Sequence, residues 1–217
     1  MADVPARGDK RRVRQSPNRA LYEREDLHAV LDVCSIGHVS FLHDGWPQSV
    51  PTAIARIDYH LYLHGHPKSR LFSALARGER VCVSACRVDG LVKARSAFHC
   101  SMNYRSAVVF GCGEVVSDTD KPTLLDRFTE HLIPGSIDDY RPHLAKELKG
   151  TTLIRIPLDE FSVKIRDDDP VDDEDDLDLP HWAGVVPIKS HYAEPVDSAN
   201  LPKGIRPRPG LLKNVRP

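Results

Sequence analysis

Short stretches of alternating apolar and polar residues fill most of the middle of the chain. Residues 36–42 and 48–55 alternate on either side of Asp44-Gly45, which predicts a β-hairpin. Residues 59–63 give a third strand, and 81–86 and 91–95 flank Asp89-Gly90 as a second hairpin. Residues 104–116 form a long strand in which Gly111 and Gly113 predict a bulge or sharp bend of the kind a barrel corner needs. Two further strands follow at 152–156 and 161–166. In the second, Phe161, Val163 and Ile165 face one way and Ser162, Lys164 and Arg166 the other. A last apolar strand is predicted at 182–188.

Helical spacing interrupts this pattern. Leu27, Val30, Leu31 and Cys34 recur at the period of an amphipathic helix. Residues 68–77 would bury Leu71, Phe72 and Leu75 before Gly78 stops the helix. Residues 121–132 carry Pro122 in the first turn and Leu124, Leu125, Phe128 and Leu132 on one face. A short third helix is expected within 140–149. Hairpins with a few helices between them predict a mainly β (α+β) fold, a small antiparallel β-barrel with helical caps.

Composition bounds what the protein does. The chain has 217 residues, long enough for one domain with a real core. A formal net charge of −1 implies no general affinity for nucleic acid or a membrane surface. There is no apolar run long enough to span a bilayer, and no apolar core behind the basic N-terminus that would make it a signal peptide. The five cysteines contain no CxxC pair, and read as free thiols in a reducing cytoplasm, without disulfide or structural zinc. The expected organisation is a disordered basic arm over 1–18, a barrel over 19–190 and an extended Pro-rich tail over 191–217. The acidic run 167–178 is expected to be a solvated loop.

Chemistry concentrates in three places. In YHLYLHGHPKSRL, from Tyr59 to Leu71, a strand runs through a glycine turn into a helix whose first turn holds Ser69 and Arg70. Free N–H groups, a hydroxyl and the cations of Lys68 and Arg70 suit a phosphate, and Gly65 would let the backbone approach a ligand. A Ser-capped turn with surface cations fits the same residues. Asn103-Tyr104-Arg105-Ser106 opens the long strand with polar groups. Lys164 and Arg166, with Arg105, could build a cationic wall for a phosphate or a reduced flavin, or simply a solvated strand face. His60, His64 and His66 do not make a metal site, since two ligands on one face are too few; His64 is better read as a proton donor beside a ligand.

The order of these segments resembles the FMN-binding split-barrel superfamily, the pyridoxamine 5'-phosphate oxidase-like proteins, and looks closest to its nitroimidazole-resistance-like branch. The segments are QSVPT, YLHGHPKSR, NYRSAVVFG, SVKIR, the acidic linker and WAGVVP, spread over most of the chain. The resemblance implies an antiparallel split β-barrel that binds FMN. It places Val50, Pro51 and Thr52 along the isoalloxazine, Leu63, His64 and Gly65 against it from the next strand, and Ser69 and Arg70 on the phosphate. Leu71 stands where a further basic residue is expected. Ser106, or its neighbour Arg105, matches a polar position on the long strand, and Lys164 belongs to the same cofactor-binding set. Trp182 would reach a site shared with a second copy in a homodimer. The pattern of residues that binds pyridoxamine phosphate is not evident. The implied activity is an FMN-dependent oxidoreductase that takes a hydride from NAD(P)H and reduces a small acceptor, nitro-aromatic or similar, with His64 as the catalytic candidate. A non-catalytic flavin carrier, a deazaflavin protein and a haem-binding split barrel using His181 or His191 remain open.

Overall fold

A computed structural model describes residues 4–137 and 139–211. The first three residues of the expected arm and the last six of the tail lie outside the described residues. The strands are β1 (Ala20–Leu21), β2 (Ile36–His43), β3 (Trp46–Ala53), β4 (Ala55–Ile57), β5 (His60–Gly65), β6 (Arg80–Lys93), β7 (Ser101–Cys112), β8 (Glu114–Val115), β9 (Thr152–Pro157), β10 (Glu160–Arg166) and β11 (Gly184–Pro187). The helices are α1 (Arg24–Leu31), α2 (Arg70–Ala76), α3 (Lys121–Leu132) and α4 (Ala145–Gly150). None of them is long and apolar enough to cross a membrane.

The strands form two antiparallel sheets. The larger has the order β1-β10-β7-β6-β2-β3, with β11 added to β6; the smaller has the order β4-β5-β9-β8. Two chain segments switch from one sheet to the other. At Ile54, β3 passes into β4, and at Gly113, β7 passes into β8. A Cβ on Gly113 would lie 2.7 Å from the Leu75 carbonyl oxygen, so only glycine lets the corner close on α2. The bend read from Gly111 and Gly113 is therefore a barrel corner. The sheets do not close, and the architecture is the expected split barrel.

Between the sheets lies the main core. Val39 and Phe41 from β2, Val81 and Val83 from β6, and Val109 from β7 meet Leu61 and Leu63 from β5 and Ile154 and Ile156 from β9. Leu27, Val30 and Leu31 of α1 and Leu71, Phe72 and Leu75 of α2 plug the open ends. A second cluster on the other face of the small sheet packs Phe128 of α3 against Ile57, Tyr62 and Leu153. The small sheet is thus covered on both sides, which is why β5 buries Leu61, Tyr62 and Leu63 in succession.

Several expectations change. Asp89-Gly90 is not a turn: β6 runs unbroken through it, with a register shift between Val88 and Gly90, and the chain reverses at 94–100 instead. The 161–166 strand lies inside the large sheet, because β10 pairs with β7 along its length and with β1 on its other side. The strand expected at 182–188 is shorter, with Gly184 to Pro187 paired to Lys93 to Gly90. The acidic run is a loop but not a freely solvated one. Asp172 is held by Arg95, and the Asp168 and Asp169 carbonyls accept from the buried Arg166 guanidinium. In the N-terminal segment, Lys10 pairs with Glu160 at 2.7 Å, and the Val13 N–H donates to the Tyr22 hydroxyl at 3.0 Å.

Candidate functional site

β4 and β5 pair from Ile57↔His60 to Ala55↔Tyr62, and there the ladder stops. Beyond Ile54 the chain leaves β5 and joins β2 as β3, the last strand of the large sheet. The two strands diverge and leave a split with β3 on one side and the end of β5 on the other. Among the described residues the backbone of β3 pairs only with β2, so its outer edge carries no strand. Val50, Pro51 and Thr52 line that edge, Leu63, His64 and Gly65 end β5, and Ser69 and Arg70 begin α2 just beyond. β3 contacts β5, and β5 leads through a short turn into α2, so the three sequence-derived segments are neighbours in the chain or in the fold.

Their side chains do different things. Val50 packs against the core, Pro51 is exposed and Thr52 is half-buried. Leu63 is fully buried. A Cβ on Gly65 would fall 2.3 Å from the buried Phe72 ring, so this glycine is required by packing beneath the strand rather than by approach of a ligand above it. The Ser69 hydroxyl accepts the Phe72 N–H at 3.2 Å and keeps its own proton to donate. The Ser69 N–H donates to the His66 carbonyl and the Lys68 N–H to His66 Nδ1, so the turn before α2 is shaped by its own hydrogen bonds. The Lys68 and Arg70 side chains are exposed and form no ion pair or hydrogen bond among the described residues. Two cations and a hydroxyl donor thus lie unspent at the mouth of the split.

His64 projects to the α3 side of the small sheet and meets Phe128 edge-on, with ring centroids 4.6 Å apart. Although the residue is partly exposed, the desolvation of its imidazole against α3 lowers its pKa from the ordinary 6.5. No hydrogen bond satisfies either ring nitrogen among the described residues.

The other candidates lie elsewhere in the chain. Arg105 does not join a phosphate-binding wall, because its guanidinium makes a two-pronged contact with Asp89 at 2.7 and 2.9 Å. Asp89 is correspondingly held below the usual carboxylate range by that bond. Arg166 is buried and structural, bonded to the Asn103 side chain and to the acidic loop. Ser106 and Lys164 are register partners on the outer face of the large sheet, where the Ser106 hydroxyl donates to the Lys164 carbonyl at 3.1 Å. Trp182 is exposed, with its ring lying over Gly184 just before β11.

The family model of pyridoxamine 5'-phosphate oxidase matches residues 23–165, from the start of α1 through most of β10. The chain belongs to this family. Among solved structures it is similar to a Mycobacterium smegmatis protein described as binding FAD and heme. Identity is 34%, the match covers 90% of this chain and 100% of that one, and the TM-score is 0.86. It is also similar to the flavocytochrome Anf3 of Azotobacter vinelandii, at 36% identity over 92% of this chain and 94% of that one, with a TM-score of 0.85. A Bacteroides thetaiotaomicron protein assigned to 5-nitroimidazole antibiotic resistance shares the fold at 20% identity, over 67% of this chain and 86% of that one, with a TM-score of 0.57. No curated protein sequence matches the chain. The family match and these neighbours agree with the split barrel described above.

Proposed function

We propose that the chain is a flavin-dependent oxidoreductase whose isoalloxazine lies along the open edge of β3 and whose phosphate is held by Ser69 and Arg70. The observation that carries this reading is the unpaired outer edge of β3, which lies beside β5 and the turn that leads into α2 with its exposed Lys68 and Arg70. Flavin would supply hydride and electron transfer, while the protein's residues position and tune it. Arg70 and Lys68 neutralise phosphate, the β3 backbone offers hydrogen bonds to the ring edge, and His64 delivers or holds a proton near it. The electron donor in this reading is NAD(P)H and the acceptor a small, nitro-aromatic or similar molecule. The five cysteines, all free, fit a reducing cytoplasm.

FMN is the flavin expected from the superfamily, while the Mycobacterium relative is described with FAD. Spectra of the purified holoprotein, chromatography of the acid-released cofactor and turnover with NADH and NADPH test the reading. Flavin uptake with no turnover on either nicotinamide would reduce the protein to a carrier; no uptake of FMN or FAD would overturn the site.

A second copy completes the proposal. Met102, Leu91 and Val186 are cross-strand neighbours on β7, β6 and β11, each about half exposed, and form an apolar row on the surface. With Trp182 they present a face that a two-fold partner would cover. A second reading adds haem beside the flavin. It is favoured by the names of the Mycobacterium and Azotobacter relatives, each of which spans nearly the whole chain.

A further inference from the structure

At the β1 end of the large sheet, the end opposite β3, residues 4–19 fold into an arm held against the barrel. The Asp9 and Arg12 N–H groups close successive turns onto the Ala6 and Asp9 carbonyls. Asp9 also grips the Arg11 guanidinium through both carboxylate oxygens, at 2.5–3.0 Å, which ties the second turn. Pro5 is buried, Lys10 pairs with Glu160 on β10, and the Val13 N–H donates to the Tyr22 hydroxyl, so the arm is fastened at three points.

The arm encloses a recess of about 320 Å³ lined by Arg7, Arg12, Val13, Arg14 and Pro17. Three of these side chains are cations and none is acidic. The Arg12 guanidinium donates to the Pro5 carbonyl at 3.1 Å and the Arg14 guanidinium to the Arg7 carbonyl at 3.5 Å, contacts that orient both groups without cancelling their charge. Among the described residues, the carboxylates paired with the arm are Asp9, Glu160 and Asp168, and they go to Arg11, Lys10 and Arg19. Arg7, Arg12 and Arg14 are left without an ion pair there. Like charges held around one recess cost free energy that a bound anion recovers. The chemistry of the donors narrows the anion. Guanidinium forks match the oxygens of phosphate in pairs, and a diphosphate brings oxygens enough for all three, whereas a single carboxylate does not. The volume lies at the lower end of the roughly 300–1,000 Å³ range of ligand pockets, which suits such a group.

We propose that this recess binds a diphosphate group, free or carried by a nucleotide, through Arg7, Arg12 and Arg14. The site lies at the far end of the sheet from the flavin split and stands apart from the flavin reading.

Equilibrium dialysis of the full, FMN-saturated chain against labelled inorganic pyrophosphate at low salt tests the site, with ADP and orthophosphate as competitors. Pyrophosphate should bind, and orthophosphate should compete more weakly than ADP. ADP that competes better than unlabelled pyrophosphate identifies a nucleotide as the source, and equal competition identifies the diphosphate alone. Arg12→Ala and Arg14→Ala should each weaken binding about tenfold, the effect of one lost charge-assisted contact. Both side chains are exposed, so melting temperature and flavin content should stay as in the wild type. No pyrophosphate retained at millimolar concentration, or equal retention by the wild type and both variants, would overturn the site. Binding lost in Arg70→Ala but kept in Arg12→Ala and Arg14→Ala would move the diphosphate to the flavin split and overturn it equally. A single-stranded oligonucleotide that displaces pyrophosphate more effectively than ADP would replace the proposal with a nucleic-acid contact.

Discussion

Asp172 closes on Arg95 with both carboxylate oxygens: Oδ1 accepts the backbone N–H at 2.6 Å and Oδ2 the guanidinium at 2.7 Å. Desolvation works against this carboxylate, yet the two hydrogen bonds from Arg95 hold it below the ordinary pKa of 3.8. One residue of an acidic run thereby becomes an anchor for the reversal between β6 and β7. Its neighbour Asp173 adds a weaker contact to His99 at 3.2 Å. Asp172→Ala should lower the melting temperature by a few degrees, while Asp175→Ala, in an exposed part of the same run, should leave it unchanged. Equal melting curves for the two variants would return the whole loop to solvent.

The corner at Gly113 makes a sharper demand. A methyl group there meets the Leu75 carbonyl oxygen at 2.7 Å and the Ile154 side chain at 3.0 Å, and backbone cannot yield as a side chain can. Gly113→Ala should cost about 1–3 kcal/mol, the usual size of an overpacking strain. Urea denaturation would show this as a lower midpoint. Gly150→Ala, where a Cβ meets nothing within 4 Å, is the control.

How much of this was readable beforehand depended on how far apart the deciding residues lie. The β2–β3 hairpin was legible because Asp44 and Gly45 both adopt positive φ, 50° and 76°, as a tight hairpin turn needs. Asp89-Gly90 carries the same dipeptide and misleads, because partners distant in sequence capture it. Arg105 takes the Asp89 carboxylate, and the Ile188 N–H takes its carbonyl at 2.8 Å. Local pattern was enough to put Ser69 and Arg70 together at the start of α2, and not enough for Arg105, whose contact with Asp89 is set by a neighbouring strand. Gly65 was identified correctly as special but for the wrong reason, since nothing in its own segment announces Phe72 beneath it.

Three histidines share one electrostatic fate. Burial lowers the pKa of His28, His64 and His131 below the ordinary 6.5. The unfolded chain therefore binds more protons than the folded one as pH falls through that value. Stability should be full above about pH 7 and decline as the pH falls below 6.5. His131→Gln should flatten the decline between pH 7.5 and 5.5 in thermal melts. A wild-type profile flat over that interval would contradict these lowered pKa values.

Arg70 offers the most direct test of the flavin split. One charge-assisted contact to a phosphate is worth about 1.5–3 kcal/mol, so Arg70→Ala should weaken flavin binding roughly 10- to 100-fold. Because the side chain is exposed and unpartnered among the described residues, the melting temperature of the apoprotein should not move. Fluorescence titration with FMN and with FAD would measure the loss, and equal affinity in mutant and wild type would remove Arg70 from the site.

The proposed dimer rests on the apolar row Met102–Leu91–Val186. Each residue is about half exposed, and Phe98, at the tip of the same hairpin, is 90% exposed. Exposure of this kind is costly for a chain that stays single, and a two-fold partner removes it by covering the row with its own copy. Leu91→Arg places a charge at the centre of the row without touching the core, so it should dissociate the dimer while leaving the fold intact. Trp182→Ala should weaken both dimerisation and flavin retention, because its ring lies over Gly184 at the start of the strand that carries Val186. Sedimentation of the flavin-loaded protein at micromolar concentration reads both effects. A wild type that sediments as a 24.3 kDa monomer and still holds its flavin would overturn the dimer and the part given to Trp182.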